Sequence, residues 1–157
     1  MTTGKKVIIG VVLVFVLLGI YGYNKAQKLI AIFSNMTMEP KSVGNFKAST
    51  TSIDFTLDVL LKNPTVDSFD INSFGIASVR SIDIYYKNVY LATSIVNITS
   101  ISVPAKDQLI IYDIPVSVPP KLFLTNPALV WELATNFDLN QVITHAVIEI
   151  AGVQISI

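Results

Sequence analysis

The chain has 157 residues, with eleven basic and eleven acidic side chains that cancel, and no cysteine. Balanced charge with no basic patch interleaved with aromatics leaves nucleic-acid binding without an electrostatic footprint. The lack of cysteine removes disulfides, thiolate nucleophiles and cysteine-based metal sites together.

The first element is an uncharged apolar run, Val7 to Tyr23, bracketed by Lys5 and Lys6 before it and Lys25 and Lys28 after it. Twelve of its residues are Val, Ile, Leu or Phe. Their summed insertion energy is about −4 to −7 kcal/mol, which makes a membrane helix the expected state. Seventeen helical residues span roughly 26 Å, a little short of a hydrocarbon core of about 30 Å. Val7, Ile8, Val11, Val12, Phe15 and Leu18 would belong to the membrane anchor, together with Tyr21 and Tyr23 at headgroup level, and the flanking lysines would snorkel. A cleaved secretory signal is the rival reading, but the stretch is long for one and no A-x-A-like site follows. Leu29, Ile30, Ile32 and Phe33 continue the pattern as an amphipathic extension expected in the membrane interface. The expected division is therefore an anchor with its extension over 1–33, a polar linker over 34–49 and one domain over 50–157. The lysines are nearly balanced across the run, so orientation is weakly specified, and a cytoplasmic N-terminal tail is the simplest arrangement.

From Thr51 onward, alternation of period two dominates. Ile53, Phe55, Leu57, Val59 and Leu61 share one face of a strand that Asn63-Pro64 stops. Phe69 to Ile76 is a second segment, broken by Gly75. Ser81 to Tyr86 and Val89 to Ile95 form a hairpin about Lys87-Asn88. Ile98 to Val103 ends at Pro104, and Leu109 to Val118 ends at Pro119-Pro120. In the latter, Ile110, Tyr112, Ile114, Val116 and Val118 are expected on one face, and Pro115 marks an edge strand or a bulge. The period then changes. Asn126 is a good N-cap and Pro127 an N1 residue for a short helix ending near Asn136, with Leu129, Val130 and Leu133 inward and Trp131 beside them. Val142 to Ile150 and Val153 to Ile157 close the chain as two strands about Ala151-Gly152. About seven short strands at regular spacing predict a mainly β antiparallel sandwich with one short accessory helix, preceded by a transmembrane helix.

The segments FTLDVLLKNPT (Phe55 to Thr65), IDIYYKNVYLATS (Ile82 to Ser94), SISVPAKDQLIIYDIPVSV (Ser100 to Val118) and AVIEIAGVQISI (Ala146 to Ile157) resemble the late embryogenesis abundant type-2 family, the water-stress and hypersensitive-response domain. The resemblance covers residues 50–157 and implies an immunoglobulin- or fibronectin-like antiparallel β-sandwich with one helix and no catalytic set. Ser156 departs from it, standing where many members have proline.

Chemistry is sparse. His145 is the only histidine, and no nucleophile elbow accompanies it, so a sheet-face histidine is expected rather than a catalytic one. Asp67 and Asp70, with Asp54 and Asp58, lack the D-x-D-x-D-G loop of a calcium site and read as solvated carboxylates. Asn63-Pro64 reads as a strand stop. Asn35-Met36-Thr37 and Asn97-Ile98-Thr99 match the glycosylation acceptor pattern. Tyr85, Tyr86, Tyr90 and Tyr112 are the candidate interaction residues, and Tyr85 and Tyr86 must point to opposite faces.

No catalytic, cofactor or metal residue is assigned. The expectation is a non-enzymatic, single-pass structural or interaction protein tethering a sandwich at a bilayer of a cell or a virion. Its partners would be the bilayer and other protein subunits of a membrane-associated assembly, such as a membrane-containing virion. The alternative is an anchored stress-protection or apolar-ligand-binding module of the type the resemblance implies.

Overall fold

The computed structural model describes residues 19, 21–72 and 77–157. A helix, α1, occupies residues 21–33 and leads through Met36 into β1 (Thr37–Ala48). There follow β2 (Ile53–Asn63), β3 (Phe69–Ile71), β4 (Ala77–Tyr86), β5 (Val89–Ile98), β6 (Ile101–Val103) and β7 (Asp107–Val118). Two helices, α2 (Pro120–Thr125) and α3 (Pro127–Thr135), and a 3-10 turn at Leu139–Gln141 precede β8 (Val142–Ile150) and β9 (Val153–Ser156). The fold is mainly β. All the strand pairs described are antiparallel, in the orders β1-β2-β7 and β5-β4-β8-β9, with β3-β6 as a separate short ladder.

Alternation builds the core. Every second residue of β2 from Ile53 to Leu61 is buried, as are Ile82, Ile84 and Tyr86 of β4 and Val142, Ala146 and Ile148 of β8. The two sheets therefore close on each other through these faces. Both two-residue hairpins have positive φ at each central residue, Lys87 (49°) with Asn88 (63°) and Ala151 (50°) with Gly152 (82°). That backbone matches the right-handed twist of the flanking strands.

The expected transmembrane architecture is not what the structure supports. Among the described residues no helix is long and apolar enough to cross a membrane. Val7, Ile8, Val11, Val12, Phe15 and Leu18 of the expected anchor, and its flanks Lys5 and Lys6, lie outside the described residues. The transmembrane-helix, single-pass, signal-anchor and virion assignments therefore have no support among the described residues. The extension expected in the interface also lies elsewhere. Ala26, Leu29, Ile32 and Phe33 of α1, with Met36 after it, are buried in one apolar cluster with Leu61, Phe69, Ile71, Val79, Val103 and Ile148. Phe33 is fully buried and its ring sits 5.6 Å from that of Phe69. The spacing of Ala26, Leu29, Phe33 and Met36 makes one apolar stripe, and the protein covers it. Burying Leu29, Ile32, Phe33 and Met36 contributes at most about 6–12 kcal/mol. A stripe already enclosed by protein has no face left for lipid.

Two further expectations change. The stretch 34–49, read as a polar linker, carries β1, which pairs along β2 from Thr37↔Lys62 to Ala48↔Ile53. Its exposed outer edge explains its polar composition. In β7 the face assignment switches midway. Leu57 pairs with Ile114 but Val59 with Ile111, so β7 carries one extra residue, and Asp113 there has φ 53°. This bulge turns Tyr112 outward, 65% exposed, while Ile111 packs inward with Ile114, Val116 and Val118. Pro115 is tolerated because, among the described residues, β7 pairs only with β2 and is an edge.

Candidate functional site

The helical tip of the sandwich is assembled from local signals. Pro119-Pro120 ends β7, and Pro120 begins α2 at a position where a missing N–H costs nothing. Asn126 then serves two helices. Its backbone N–H donates to the Leu122 carbonyl at 2.8 Å, closing α2, and its Oδ1 accepts from the Leu129 N–H at 3.4 Å, opening α3. Leu129, Val130 and Leu133 point into the core. The consequence falls on the other side of the helices, where Leu124 is 87% and Trp131 71% exposed.

Between this tip and the turn joining β1 to β2 lies a cleft of about 360 Å³, walled by Ile53, Phe123, Val130, Trp131 and Ala134. Ser49 and Thr50 stand at its mouth. The mouth is held in shape: Ser49 Oγ accepts from the Ser52 N–H at 2.9 Å, and the Ser49 N–H donates to the Ser52 carbonyl at 2.8 Å. The cleft thus has apolar walls with a few hydroxyls at one end, the usual chemistry of a binding site.

Beneath the tip, an aromatic and ionic brace fixes α3 to the sheets. Tyr86, fully buried, stacks on Phe137 at 5.6 Å, and Phe137 in turn meets Phe55 at 5.7 Å and Phe46 at 6.0 Å. The Tyr86 hydroxyl donates to Glu132 Oε1 at 3.2 Å and accepts from the Asp138 N–H at 3.2 Å. Lys87 Nζ reaches the same Glu132 oxygen at 2.6 Å. Lys87 holds the Glu132 carboxyl below the usual carboxylate range, and Glu132 in return raises the lysine. Burial pushes the Tyr86 phenol up.

The four candidate tyrosines do not form one surface. Tyr86 belongs to the brace. Tyr85 and Tyr90 meet edge to face at 5.6 Å on the outer side of the larger sheet, where His145 also meets Tyr85 at 5.5 Å. Asp83 lies opposite His145 in register and accepts from Thr93 Oγ1 at 2.5 Å, while Thr93 also bonds the Tyr90 hydroxyl at 2.7 Å. Tyr112 stands apart at the β7 bulge. Of the residues expected in the anchor itself, Tyr21 and Tyr23 are exposed on α1, 68% and 65%; of its expected flanks, Lys25 borders a small hollow beside Ser68, and Lys28 pairs with Asp67 at 2.7 Å. Asp70 accepts from the hydroxyls of Ser68 and Ser102, and Asp58 from Ser42 Oγ at 2.6 Å and the Asp113 N–H at 2.9 Å. The Ser42 hydroxyl, with the Asp113 amide, holds the Asp58 carboxyl below its ordinary value.

Asn63 does more than end a strand. It is 1% exposed, and its side-chain amide donates to the carbonyls of Asp67 (2.8 Å), Pro104 (3.1 Å) and Val103 (3.2 Å). Its Oδ1 accepts from the Thr65 N–H (3.1 Å) and hydroxyl (2.7 Å). The signal for this role was the Asn63-Pro64-Thr65 spacing at the end of the strand, a common Asx-turn pattern.

No protein-family model and no curated protein matches the chain. Among solved structures it is similar to a protein from Archaeoglobus fulgidus, at 11% identity over 78% of this chain and 87% of that one, with a TM-score of 0.35. A likeness of that size carries no functional argument.

Proposed function

We propose that this chain is a non-enzymatic interaction protein that presents its α2–α3 tip to another subunit of a larger assembly. The observation that carries the reading is the exposure of Leu124 and Trp131 beside a preformed apolar cleft. Large apolar side chains left mostly exposed on a rigid support are the usual anchors of protein interfaces, and tryptophan leads among them. The helices below are braced through Tyr86, Phe137 and Glu132, so the tip meets a partner already ordered and loses little conformational entropy on binding. The resemblance to late embryogenesis abundant type-2 domains supports the same non-enzymatic reading.

Trp131 is the only tryptophan in the chain, so its emission reports on the tip directly. Purification of the full chain from its native source, with its stoichiometric partner identified, provides the complex. Formation of that complex should shift the emission to the blue. Trp131→Ala should weaken the complex about 30-fold or more, as loss of a hot-spot residue does. Leu124→Ser should act in the same direction. Binding unchanged by both substitutions, or a chain recovered without any stoichiometric partner, overturns the reading.

A further inference from the structure

Among the described residues β5 and β7 are edge strands of their sheets, and they lie side by side with an open seam between them. Two hollows, about 540 and 370 Å³, run along it and share Ile95 and Pro115 in their walls. The floor is apolar, with Phe55 and Val116 in one hollow and Val96 and Ile114 in the other. Ile95, 72% exposed, and Tyr112, 65% exposed, stand at the rim.

A second observation lies within the seam. Ser94 borders the larger hollow, is 4% exposed, and its hydroxyl has no hydrogen-bond partner among the described residues. An unpaired buried hydroxyl is costly, so a group that supplies the missing bond gains more there than at a surface serine.

We propose that the β5–β7 seam binds an uncharged straight-chain amphiphile, such as a monoacylglycerol or a long-chain alcohol, with its polar head on Ser94 and its alkyl chain along the seam. Length fits a chain. From Ser94 to Ile98 the wall runs about 13 Å at the rise of a strand. Charge selects the head. Lys47 and Asp54 both border the Ser94 end and face each other in register, so they offset one another and favour neither a carboxylate nor an ammonium. A peptide strand fits less well, because the Asp113 bulge and Pro115 break the regular row of donors and acceptors an added strand needs.

The test is a titration of the ¹⁵N-labelled full chain with 1-monolauroylglycerol below its micelle concentration, with dodecanoate as the charged comparator. Saturable one-to-one binding is expected, with amide shifts gathered at residues 93–98 and 111–117 and dodecanoate the weaker ligand. Ser94→Ala should weaken binding about fivefold while raising the unfolding midpoint of the free chain, since it removes both a ligand bond and an unpaired hydroxyl. Ile95→Glu, at an exposed rim position that does not threaten folding, should also weaken it. The proposal is overturned by an absence of saturable shifts, by shifts that gather at the Trp131 cleft, by tighter binding of dodecanoate, or by an affinity indifferent to Ser94→Ala. Trp131 emission stays unchanged in the expected outcome, so failure at the seam is separable from failure of the tip as an interface.

Discussion

Replacing Asn63 with alanine should cost far more than a strand stop would. The native amide has two hydrogens for three carbonyls, so at least one of its bonds is shared, and its oxygen takes two donors from Thr65. Alanine leaves the Val103 carbonyl, on a fully buried residue, without this donor, and strips the 63–67 loop of its hub. At about 1–3 kcal/mol for each buried group left unmatched, with the more exposed loop groups recovering water, the expected loss is about 2–4 kcal/mol. Asn63→Asp should be at least as damaging at neutral pH, because a carboxylate would face three carbonyl oxygens. Its folded-state pKa would be raised. The deficit should therefore shrink as pH falls, when the protonated form regains one donor, and grow as pH rises through the folded pKa. Urea unfolding followed by far-UV circular dichroism measures both, and a loss of 3 kcal/mol should move the midpoint by about 1–3 M for a domain of this size. An Asn63→Ala variant within about 0.5 kcal/mol of the parent would refute the reasoning and reduce Asn63-Pro64 to a strand stop.

Leu29→Ala tests the docking of α1. A buried leucine on a packed helix should cost about 2–4 kcal/mol in the same assay, whereas a residue on an undocked helix would cost almost nothing. Lys28→Ala, which removes an ion pair between two largely exposed side chains, should cost no more than about 0.5 kcal/mol. Asp58 and Glu132 both have lowered folded-state values, so their contributions are present above the unfolded pKa and are lost as pH falls through the folded one. The parent should accordingly lose stability below about pH 4, and Asp58→Asn should flatten that acid limb; an unchanged slope would discount Asp58. Ala151→Asn places the favoured Asn-Gly pair in a turn whose first position has φ 50°, and should raise stability by about 0.5–1 kcal/mol.

What the sequence carried by itself was the local grammar. Alternation in Ile53 to Leu61 depends only on the pleat, the Lys87-Asn88 and Ala151-Gly152 turns on backbone handedness, and the start of α3 on Asn126 and Pro127. All of these are decided within a few residues, and each was legible without the fold. Tertiary structure decided the rest, because the deciding partners lie far away in the chain. An apolar stripe through Leu29 and Phe33 suits a membrane interface or a protein core equally well; Phe69, Val103 and Ile148 settle it by enclosing it. The polar segment Thr37 to Ala48 becomes a strand because β2 supplies its hydrogen bonds. One extra residue at Asp113 re-aims Tyr112, and no short window around it shows that slip against Leu57 and Val59. The same holds for the two surfaces that matter most. Trp131 is exposed because its neighbours fill the core, and Ser94 is unpaired because of what packs around it, properties of the assembled sheets rather than of any segment.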